Sequence, residues 1–355
     1  MSTSEIEIAG RRIGSAHRPY VIAEISANHA QDYSVAEAIV RGCAEVGVDA
    51  IKLQTYTAET MTLDVDKPAY IINEGLWESK RLFDLYGEAE TPWEWTEPLQ
   101  ALCSSLGVTL FSSPFDSTAV DFLESLNFPA YKIASFELTD LPLLRAVAET
   151  GKPVIASTGM ATEQEIQSAV SVLRESGCEQ LALLKCTSSY PATFDSLNLI
   201  LIPRIQTDFD LPVGFSDHTE GITAAVAAVA LGACIIEKHV KTIGSESSPD
   251  AVFSSTIGEL GELVNGVNFA FDARGNGNYG PHESEYPMIA LRRSVIAIRD
   301  LPVGARVNKE DVAILRPAIG LPPSEFDTIV GAIVKKNIFR GDGITWDSLG
   351  TPSES

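Results

Sequence analysis

The sequence predicts an α/β protein, a (β/α)8 TIM barrel followed by a small and mostly β domain. Short β-branched runs alternate with amphipathic stretches eight times along the chain. The runs are almost continuously apolar, which is typical of parallel strands covered by helices. Charged residues stand at the ends of these runs, where such barrels place their chemistry. With 355 residues, 45% of them hydrophobic, the chain can bury one large core and a second small one.

The predicted elements follow one another in regular order. The strand candidates are Tyr20–Ile25, Ala50–Gln54, Thr109–Ser112, Ala130–Ile133, Pro153–Ser157, Leu181–Lys185, Pro212–Ser216 and Cys234–His239. The helix candidates are Val35–Val46, Thr118–Leu126, Leu141–Glu149, Glu163–Glu175, Ile222–Leu231 and Ile257–Phe271. The long connection from Thr55 to about Trp93 is expected to fold over the mouth of the barrel and cover a substrate. An open, doubly wound sheet is the alternative that the same alternation allows.

The last part of the chain has a different pattern. Residues 272–286 are rich in glycine, proline and polar residues without periodicity, which predicts a linker after a barrel domain of residues 1–271. Residues 287–355 contain the short apolar runs SVIAI, VAIL and AIVKKNI, separated by the turn signals LPVGA and RGDGIT. This region is therefore predicted to be a small domain of many short strands.

The charge balance excludes several classes of partner. The formal net charge is −22, from 48 acidic and 26 basic residues, which disfavours nucleic acid and anionic membrane surfaces as partners.

The sequence has no apolar run of membrane-spanning length, and its start lacks the apolar stretch of a secretory signal, so we expect a cytoplasmic protein. The five cysteines are scattered without a C-x-x-C pair, so neither disulfides nor a zinc knuckle is expected.

Polar residues gather at the ends of the predicted strands. They include Glu24, Lys52, Gln54, Ser113, Lys132, Ser135, Ser157, Lys185, Ser188, Tyr190, Ser216, Glu237 and Lys238. Charged groups within apolar strands are costly to bury unless they are paired or bind a ligand. Lysines and hydroxyl groups gathered at one barrel face predict a site for an anion that carries phosphate and carboxylate groups. The alternative is that Lys52 and Lys132 are structural ion-pair partners of Glu24 or Glu237.

Histidine is scarce, and two of the five histidines close neighbouring predicted strands. His218 follows the seventh strand and His239 ends the eighth. Two imidazoles in such positions could hold one divalent cation and leave coordination positions open for water and a substrate oxygen. A hydrogen-bonded core histidine is the alternative for each of them, because no H-x-H or H-E-x-x-H motif is present.

At these same positions the chain resembles the sialic acid synthase family, and within it the pseudaminic acid synthases. The segments that carry the resemblance are AEISANHA (23–30), IKLQTYT (51–57), FSSPFD (111–116), YKIASFE (131–137), STG (157–159), KCTSSYP (185–191), FSDHT (215–219) and EKHV (237–240). In the tail, RRS (292–294) and LRPAIGL (315–321) resemble the antifreeze-like (SAF, β-clip) domain of these synthases. The resemblance covers nearly the whole chain and implies a barrel followed by this domain.

The resemblance also implies roles for individual residues. His218 and His239 match family histidines that hold a divalent metal ion, typically Mn²⁺, with Mg²⁺ or Co²⁺ as alternatives. Phosphoenolpyruvate is bound by, or lies close to, residues that match Lys52, Ser113, Lys132, Ser135, Ser157, Lys185 and Ser216. The sugar hydroxyls and the reacting centre are handled by residues that match Glu24, Gln54, Tyr190 and Asp250, with Glu24 as the acid/base or water-orienting group. Arg316 matches an arginine that binds the sugar's acyl group in the partner protomer, which implies a domain-swapped homodimer.

The activity implied is condensation of phosphoenolpyruvate with open-chain 2,4-diacetamido-2,4,6-trideoxy-altrose and water, which gives pseudaminic acid and phosphate. Lys185 and Ser188 stand where sialic acid synthases proper have His and Asn, and this departure favours a sugar other than N-acetylmannosamine. Aromatic surface that would suit the methyl at C6 is expected near the mouth from Tyr56, Trp77, Phe115 and Phe136. N-acetylneuraminic or legionaminic acid synthesis is the alternative within the family. An aldolase that forms an imine through Lys132 and a non-catalytic carbohydrate-binding protein are the alternatives outside it.

Overall fold

The chain divides between Gly275 and Asn276 into two compact units in the computed structural model, which describes residues 4–350. The first unit contains a barrel of parallel strands with helices around it. The second unit is rich in short β segments and has an apolar core of its own. Among residues 4–350, no helix combines the length and the apolar character that a bilayer crossing requires.

The barrel closes into a ring of eight parallel strands. An antiparallel hairpin, β1 (Ile6–Ile8) and β2 (Arg11–Ile13), precedes it. The barrel strands are β3 (Tyr20–Glu24), β4 (Ala50–Thr55), β5 (Thr109–Pro114), β6 (Tyr131–Ile133), β7 (Val154–Ser157), β8 (Leu181–Cys186), β9 (Val213–Asp217) and β10 (Ile235–Lys241). They pair in chain order, and β10 pairs with both β9 and β3. This closure confirms the predicted TIM barrel and excludes the open sheet.

Helices surround the barrel and pack their apolar faces on it. They are α1 (Tyr33–Val46), α4 (Thr96–Leu106), α5 (Ser117–Ser125), α6 (Leu141–Glu149), α7 (Glu163–Glu175), α8 (Leu201–Phe209), α9 (Thr223–Ala230) and α10 (Ile257–Ala273). Two short helices, α2 (Ala58–Met61) and α3 (Leu82–Ala89), belong to the connection between β4 and α4. A two-residue strand, β11 (Ser255–Thr256), pairs with the end of β10. In α7, Thr162 and Glu165 form a reciprocal capping box, and the buried residues recur at helical spacing. The predicted bounds of α6 and α7 are confirmed.

The sequence prediction missed β1, β2, α4 and α8. The two hairpin strands have three residues each, too few for a visible alternation, although Ile6, Ile8 and Ile13 are buried. A proline stands at the third residue of α4 and of α8, which reads as a helix breaker in the sequence. Proline is tolerated in the first turn because the N–H it lacks has no partner within the helix there.

The connection between β4 and α4 is the longest loop on the strand-end face of the barrel. It carries the short helices α2 and α3 and an isolated bridge between Ile71 and Arg81. Its side chains line a cavity at the carboxyl ends of the barrel strands, together with the strand ends themselves. The prediction that this connection covers the mouth is therefore confirmed.

The second unit has few regular elements. Its helices α11 (Tyr286–Ile289) and α12 (Phe326–Ile329) are single turns, and β12 (Ser294–Ala297) pairs with β13 (Val312–Leu315) in antiparallel register. Isolated bridges add further strand contacts, such as Leu301 with Ile338. The unit encloses an apolar core that includes Val295, Val307 and Ile344. The predicted mostly β character of this region is confirmed.

Candidate active site

A cavity of about 460 Å³ opens at the carboxyl ends of the barrel strands. The polar part of its lining comes from strand ends, and much of the apolar part comes from the β4–α4 connection. The predicted site residues that line it are Lys52, Gln54, Lys132, Ser135, Ser157, Tyr190, Ser216, His218, His239 and Asp250. Residues that are far apart in the sequence thus meet at the face where the barrel fold places chemistry.

Four buried charged side chains form a cluster next to the cavity. Lys52 Nζ makes an ion pair with the carboxylate of Glu24, which lies directly across the strand pair, and is 3.7 Å from Glu237 Oε1. The same Glu237 oxygen is 3.6 Å from Lys132 Nζ. Each of the four side chains is at most 5% exposed. The ion-pair interpretation of the two lysines is therefore correct, and both lysines also line the cavity.

The protonation of this cluster follows from burial and from the neighbouring charges. Burial raises the pKa of Glu24 above its usual value, although Lys52 opposes the shift. Burial also lowers the pKa of Lys132, and Glu237 offsets this only in part. For Lys52 and Glu237 burial is outweighed by the opposite charges, so the pKa of Lys52 is raised and that of Glu237 is lowered. Glu24 is therefore the carboxylate of the cluster that most readily takes up a proton.

Hydroxyl groups extend the site beyond the lysines. Ser157 Oγ is buried, faces the cavity and has no hydrogen-bond partner among the described residues. Ser135 Oγ accepts a hydrogen bond of 3.1 Å from the Gly159 N–H. A Cβ at position 159 would collide with the Oγ atoms of Ser135 and Ser188, so glycine is needed for these hydroxyls to converge. An unpaired buried hydroxyl is costly unless a ligand pairs with it, and Ser157 is therefore available to donate to a bound anion.

A second polar network connects the ends of β3 and β4 with the loop that follows β10. Ser26 donates through Oγ to Asp250 Oδ2 at 2.5 Å, and Gln54 Nε2 donates to Ser26 Oγ at 2.9 Å. The Ser26 N–H donates to Glu24 Oε1 at 2.9 Å. Ser26 has φ = 47°, a left-handed conformation that a non-glycine residue adopts at a cost of about 1–2 kcal/mol. Burial raises the pKa of Asp250, although its hydrogen bond from Ser26 opposes the shift.

His218 and His239 lie side by side at the cavity, with ring centroids 5.3 Å apart. His218 Nδ1 is 3.0 Å from the Thr187 carbonyl oxygen, so an N–H at Nδ1 donates to it and leaves Nε2 free. His239 Nδ1 is buried without a hydrogen-bond partner, and burial together with the positive groups nearby holds its pKa well below the usual value. Burial lowers the pKa of His218, but its interactions with neighbouring groups, chiefly the Cys186 side chain, outweigh burial, and the pKa of His218 is raised. A divalent ion binds the neutral form of an imidazole, so an ion bound at His218 would displace a proton.

The two histidines fit an open metal site. Among residues 4–350, no three His, Cys, Asp or Glu side chains are grouped so that they could hold a metal ion. The nearest carboxylate oxygen to His239 Nδ1 belongs to Asp250 and is 3.8 Å away. An ion bound here would thus have two protein nitrogens and further positions for water and substrate oxygens.

A fully buried ion pair stands directly before the two histidines in the sequence. Asp217 and Lys238 lie opposite each other in the β9–β10 register, and Lys238 Nζ is 2.9 Å from Asp217 Oδ2. Asp217 Oδ1 accepts hydrogen bonds from the N–H and the hydroxyl of Thr219, and Lys238 also donates to the Thr219 carbonyl. Because side chains alternate along a strand, this pair points away from the barrel interior while the following histidines point towards the cavity.

Five predicted site residues do not line the cavity; they are Glu24, Ser113, Lys185, Ser188 and Arg316. Glu24 is fully buried and reaches the lining only through Lys52, Gln54 and Ser26. Ser113 accepts a 3.3 Å hydrogen bond from Lys52, and Lys185 donates to the Cys186 carbonyl and the Thr187 hydroxyl. Arg316 is an exposed residue of the second unit.

Sequence reasoning left several cavity residues out of the predicted site. Ser26, Glu137, Cys186, Glu237 and Phe253 all line the cavity. Glu237 was recognised as a strand-end charge, but only the closed barrel reveals that it bridges both lysines. Burial raises the pKa of Glu137 to about 7, and Lys132 opposes the shift only in part. Position after a strand was the available signal for Glu137, which follows β6 by four residues.

Comparison with known proteins agrees with this architecture. The NeuB family model matches residues 39–279, and the SAF domain model matches residues 292–350. A pseudaminic acid synthase of Campylobacter jejuni is 39% identical over 92% of this chain and 95% of its own length. An N,N'-diacetyllegionaminic acid synthase of Legionella pneumophila is 37% identical over 95% of this chain and 96% of its own length.

A solved structure supports the same assignment. The N-acetylneuraminic acid (sialic acid) synthetase of Leptospira borgpetersenii, crystallised with citrate, superposes with a TM-score of 0.73 at 30% identity. The match covers 81% of this chain and 95% of the solved chain. The resemblance to sialic acid synthases predicted from the strand-end motifs is thereby confirmed. With a barrel and a second unit that each match their own model, the chain belongs to the NeuB family and carries a SAF domain.

Proposed function

We propose that this protein is a pseudaminic acid synthase. It would condense phosphoenolpyruvate, water and open-chain 2,4-diacetamido-2,4,6-trideoxy-altrose to pseudaminic acid and phosphate. The observation that carries the proposal is the lining of the cavity. It combines two buried lysines and an unpaired serine hydroxyl with two adjacent histidines. The similarity to pseudaminic acid synthases over 92% of the chain supports the choice of product.

Phosphoenolpyruvate would be bound by the cationic side of the cavity. Lys52 and Lys132 are the barrel cations that line it, and Ser157 supplies an uncommitted donor. Their fixed positions would hold the enol carbon C3 against the aldehyde of the sugar, so that binding supplies much of the orientation. Glu237 keeps both ammonium groups in place, because its carboxylate lies within 4 Å of each.

The aldehyde end of the sugar would lie at His218 and His239. We propose that these two residues hold a divalent ion, Mn²⁺ first and Mg²⁺ or Co²⁺ as alternatives, through His218 Nε2 and the free nitrogen of His239. When bound, such an ion polarises a carbonyl oxygen and makes its carbon more electrophilic. Gln54, Ser26 and Asp250 form a polar network beside His239, where they would orient the sugar hydroxyls.

The reaction forms one C–C and one C–O bond and breaks one C–O bond. Carbon C3 of phosphoenolpyruvate bonds to the aldehyde carbon, whose oxygen takes up a proton and becomes a hydroxyl. Water oxygen adds at C2 with loss of one proton, and the C2–O bond to phosphate then breaks as C2 becomes a ketone and its hydroxyl proton leaves with the phosphate. The proton released by water needs an acceptor on the cavity wall. Glu137 and Asp250 both line it, and burial raises the pKa of both groups. The pKa of Glu137 is raised to about 7, so Glu137 can exchange protons near neutral pH. Glu24 would act on this step indirectly, through Lys52 and Ser26.

We further propose a domain-swapped homodimer in the cytoplasm, where the substrate phosphoenolpyruvate is available. Within residues 4–350, no arginine lines the barrel cavity, whereas the exposed Arg316 belongs to the SAF domain. An arginine suits a carbonyl acceptor such as an acyl oxygen, since it is a rigid and permanently charged donor. Arg316 of one protomer would thus complete the sugar site of the other.

Phosphate release tests the proposed function. The purified protein is incubated with phosphoenolpyruvate, Mn²⁺ and one of three sugars: the altro diacetamido sugar, its manno counterpart that leads to legionaminic acid, or N-acetylmannosamine. We expect the altro sugar to have the highest kcat/KM by far. No phosphate release with any of them refutes the proposal, and a preference for the manno sugar replaces the product with legionaminic acid, as the relative at 37% identity allows. Borohydride with pyruvate should not label Lys132, because the mechanism involves no imine.

A further inference from the structure

The β4–α4 connection forms an apolar wall across the mouth of the cavity. The residues it contributes to the lining include Met61, Ile72, Trp77, Leu82 and Leu85. This composition is unlike that of the strand ends, which contribute charged groups, hydroxyls and imidazoles. A substrate bound between the two surfaces therefore has one polar and one apolar environment.

Trp77 holds this wall against the far side of the barrel. Its indole Nε1 donates a 3.0 Å hydrogen bond to the carbonyl of Pro249, which follows β10 and precedes Asp250. The indole also packs against Tyr190 and Phe253, with ring centroids at 5.5 Å and 6.4 Å. The connection thus leaves the barrel at β4 and is fastened near the loops that follow β8 and β10.

The rings of Tyr190 and Phe253 lie between the two histidines and the indole of Trp77. Tyr190 is 4.5 Å from the ring of His218, and Phe253 is 5.0 Å from the ring of His239. Trp77 contacts both aromatic residues and lies one ring farther from the histidines. A sugar whose C1 aldehyde lies at the histidines therefore presents its distal carbons, not C1 or C2, to Trp77.

Indole Nε1, the only polar atom of the Trp77 side chain, already makes a hydrogen bond within the protein. Its N–H is bound to the Pro249 carbonyl, so the indole offers the cavity carbon surface alone. A hydroxyl placed against such a surface loses its hydrogen bonds with water and gains none, whereas a methyl group gains from burial. The wall thus favours a substrate end that lacks a hydroxyl.

We propose that Trp77 is a specificity-determining residue that receives the methyl-bearing, 6-deoxy end of the sugar. This inference rests on the proposed function, because it assumes that C1 reacts at the histidines. It assigns discrimination between a C6 methyl and a C6 hydroxyl to the β4–α4 connection. The strand-end residues then bind phosphoenolpyruvate and the polar part of the sugar.

The test compares the 6-deoxy altro sugar with the otherwise identical 6-hydroxy sugar in wild type, Trp77→Ala and Trp77→Phe. In wild type the 6-deoxy sugar should have a kcat/KM about tenfold or more above that of the 6-hydroxy sugar. Trp77→Ala should reduce this ratio to about two or less, mainly through the KM of the 6-deoxy sugar, with the KM for phosphoenolpyruvate unchanged. Trp77→Phe keeps an aromatic face without the N–H, so it should retain most of the discrimination.

Trp93→Phe is the matched control. Trp93 also donates through Nε1 to a backbone carbonyl, that of Tyr56 at 3.1 Å, but it stacks on Phe122 and does not line the cavity. Its variant should keep the wild-type ratio, and thermal unfolding of all variants verifies that they are folded. An equal loss of kcat/KM for both sugars in Trp77→Ala would overturn the inference, as would a wild type indifferent to the C6 group. Failure of the proposed function is distinct, since the wild type would then release no phosphate with either sugar.

Discussion

Replacement of Lys132 by methionine tests the charge cluster of the barrel. In the wild type two lysines face two carboxylates, and Glu237 lies 3.7 Å and 3.6 Å from the two ammonium groups. Lys132→Met leaves Glu24 and Glu237 to share Lys52. All of these groups are buried, so one uncompensated charge must be neutralised or kept at high cost. Removal of one partner from a buried ion pair typically costs about 3–5 kcal/mol of stability.

The loss of stability in Lys132→Met should be larger at higher pH. One carboxyl group of the variant will take up a proton, and Glu24, whose pKa burial already raises, is the first candidate. Its folded-state pKa then lies above the unfolded value, so the folded protein binds more protons between the two values. Stability therefore falls as pH rises through that window, by up to about 1.4 kcal/mol per pH unit.

Equilibrium unfolding in urea at pH 6 and pH 8 measures this effect. The fluorescence of Trp77, Trp93 and Trp95 reports on the barrel unit. The control is Lys152→Met, because Lys152 pairs with Glu124 at 2.6 Å near the surface, with 19% and 36% exposure, and its loss should cost only about 0–1 kcal/mol. A Lys132→Met protein as stable as wild type at both pH values, or equally destabilised at both, would refute the reasoning. The variant should also lose phosphate release by about 100-fold or more.

Other predictions concern the metal, the strands and the dimer. Chelation should abolish turnover, and Mn²⁺ should restore it. The variants His218→Ala and His239→Ala should fold but should not bind Mn²⁺, as measured by electron paramagnetic resonance. Full activity of metal-free His218→Ala would contradict this prediction. Lys238→Met leaves a fully buried carboxylate unpaired and should cost about 3–5 kcal/mol in urea unfolding, whereas replacing its aspartate partner by Asn as well should restore part of that loss. Arg316→Ala mixed with Lys132→Ala should regain part of the activity in a verified heterodimer, and no recovery would argue against a swapped site.

The fold could be predicted in detail because its signals are local. Each barrel strand is a short apolar run that ends in polar residues, so all eight lie within two residues of their predicted bounds. Long capped helices such as α6 and α7 were predicted to the residue. The hairpin β1–β2 was missed because three-residue strands carry no periodicity, and its burial depends on the rest of the barrel.

The sequence predicted which polar side chains meet at the barrel face, but it gave the ion pairs of Lys52 and Lys132 only as an alternative, with either Glu24 or Glu237 as partner. Strand-end position alone identified Lys52, Lys132, His218 and His239 as neighbours. It could not show that Glu237 bridges the lysines, because that contact requires β10 to close the ring beside β3. Ser26 was missed for another reason, since its role depends on a left-handed backbone that only the fold imposes.

The two lysines and two carboxylates of the buried cluster balance each other, and the whole protein has a formal net charge of −22. A multiply charged anion bound at the cluster would therefore add uncompensated negative charge. The proposed substrate phosphoenolpyruvate would bring a carboxylate and a phosphate group of about −2 charge next to lysines already matched by carboxylates. Burial already raises the pKa of Glu24, and the added negative charge should raise it further because a like charge disfavours the ionised carboxylate. Binding of the anion should therefore be coupled to uptake of a proton, and it should weaken as pH rises between the pKa of Glu24 in the free protein and that in the complex.

Titration calorimetry at one pH, in two buffers of different ionisation enthalpy, should give binding heats that differ for the wild type and agree for Glu24→Gln. Equal heats for the wild type would mean that the cluster keeps both carboxylates ionised and that the anion is balanced by cations supplied from elsewhere.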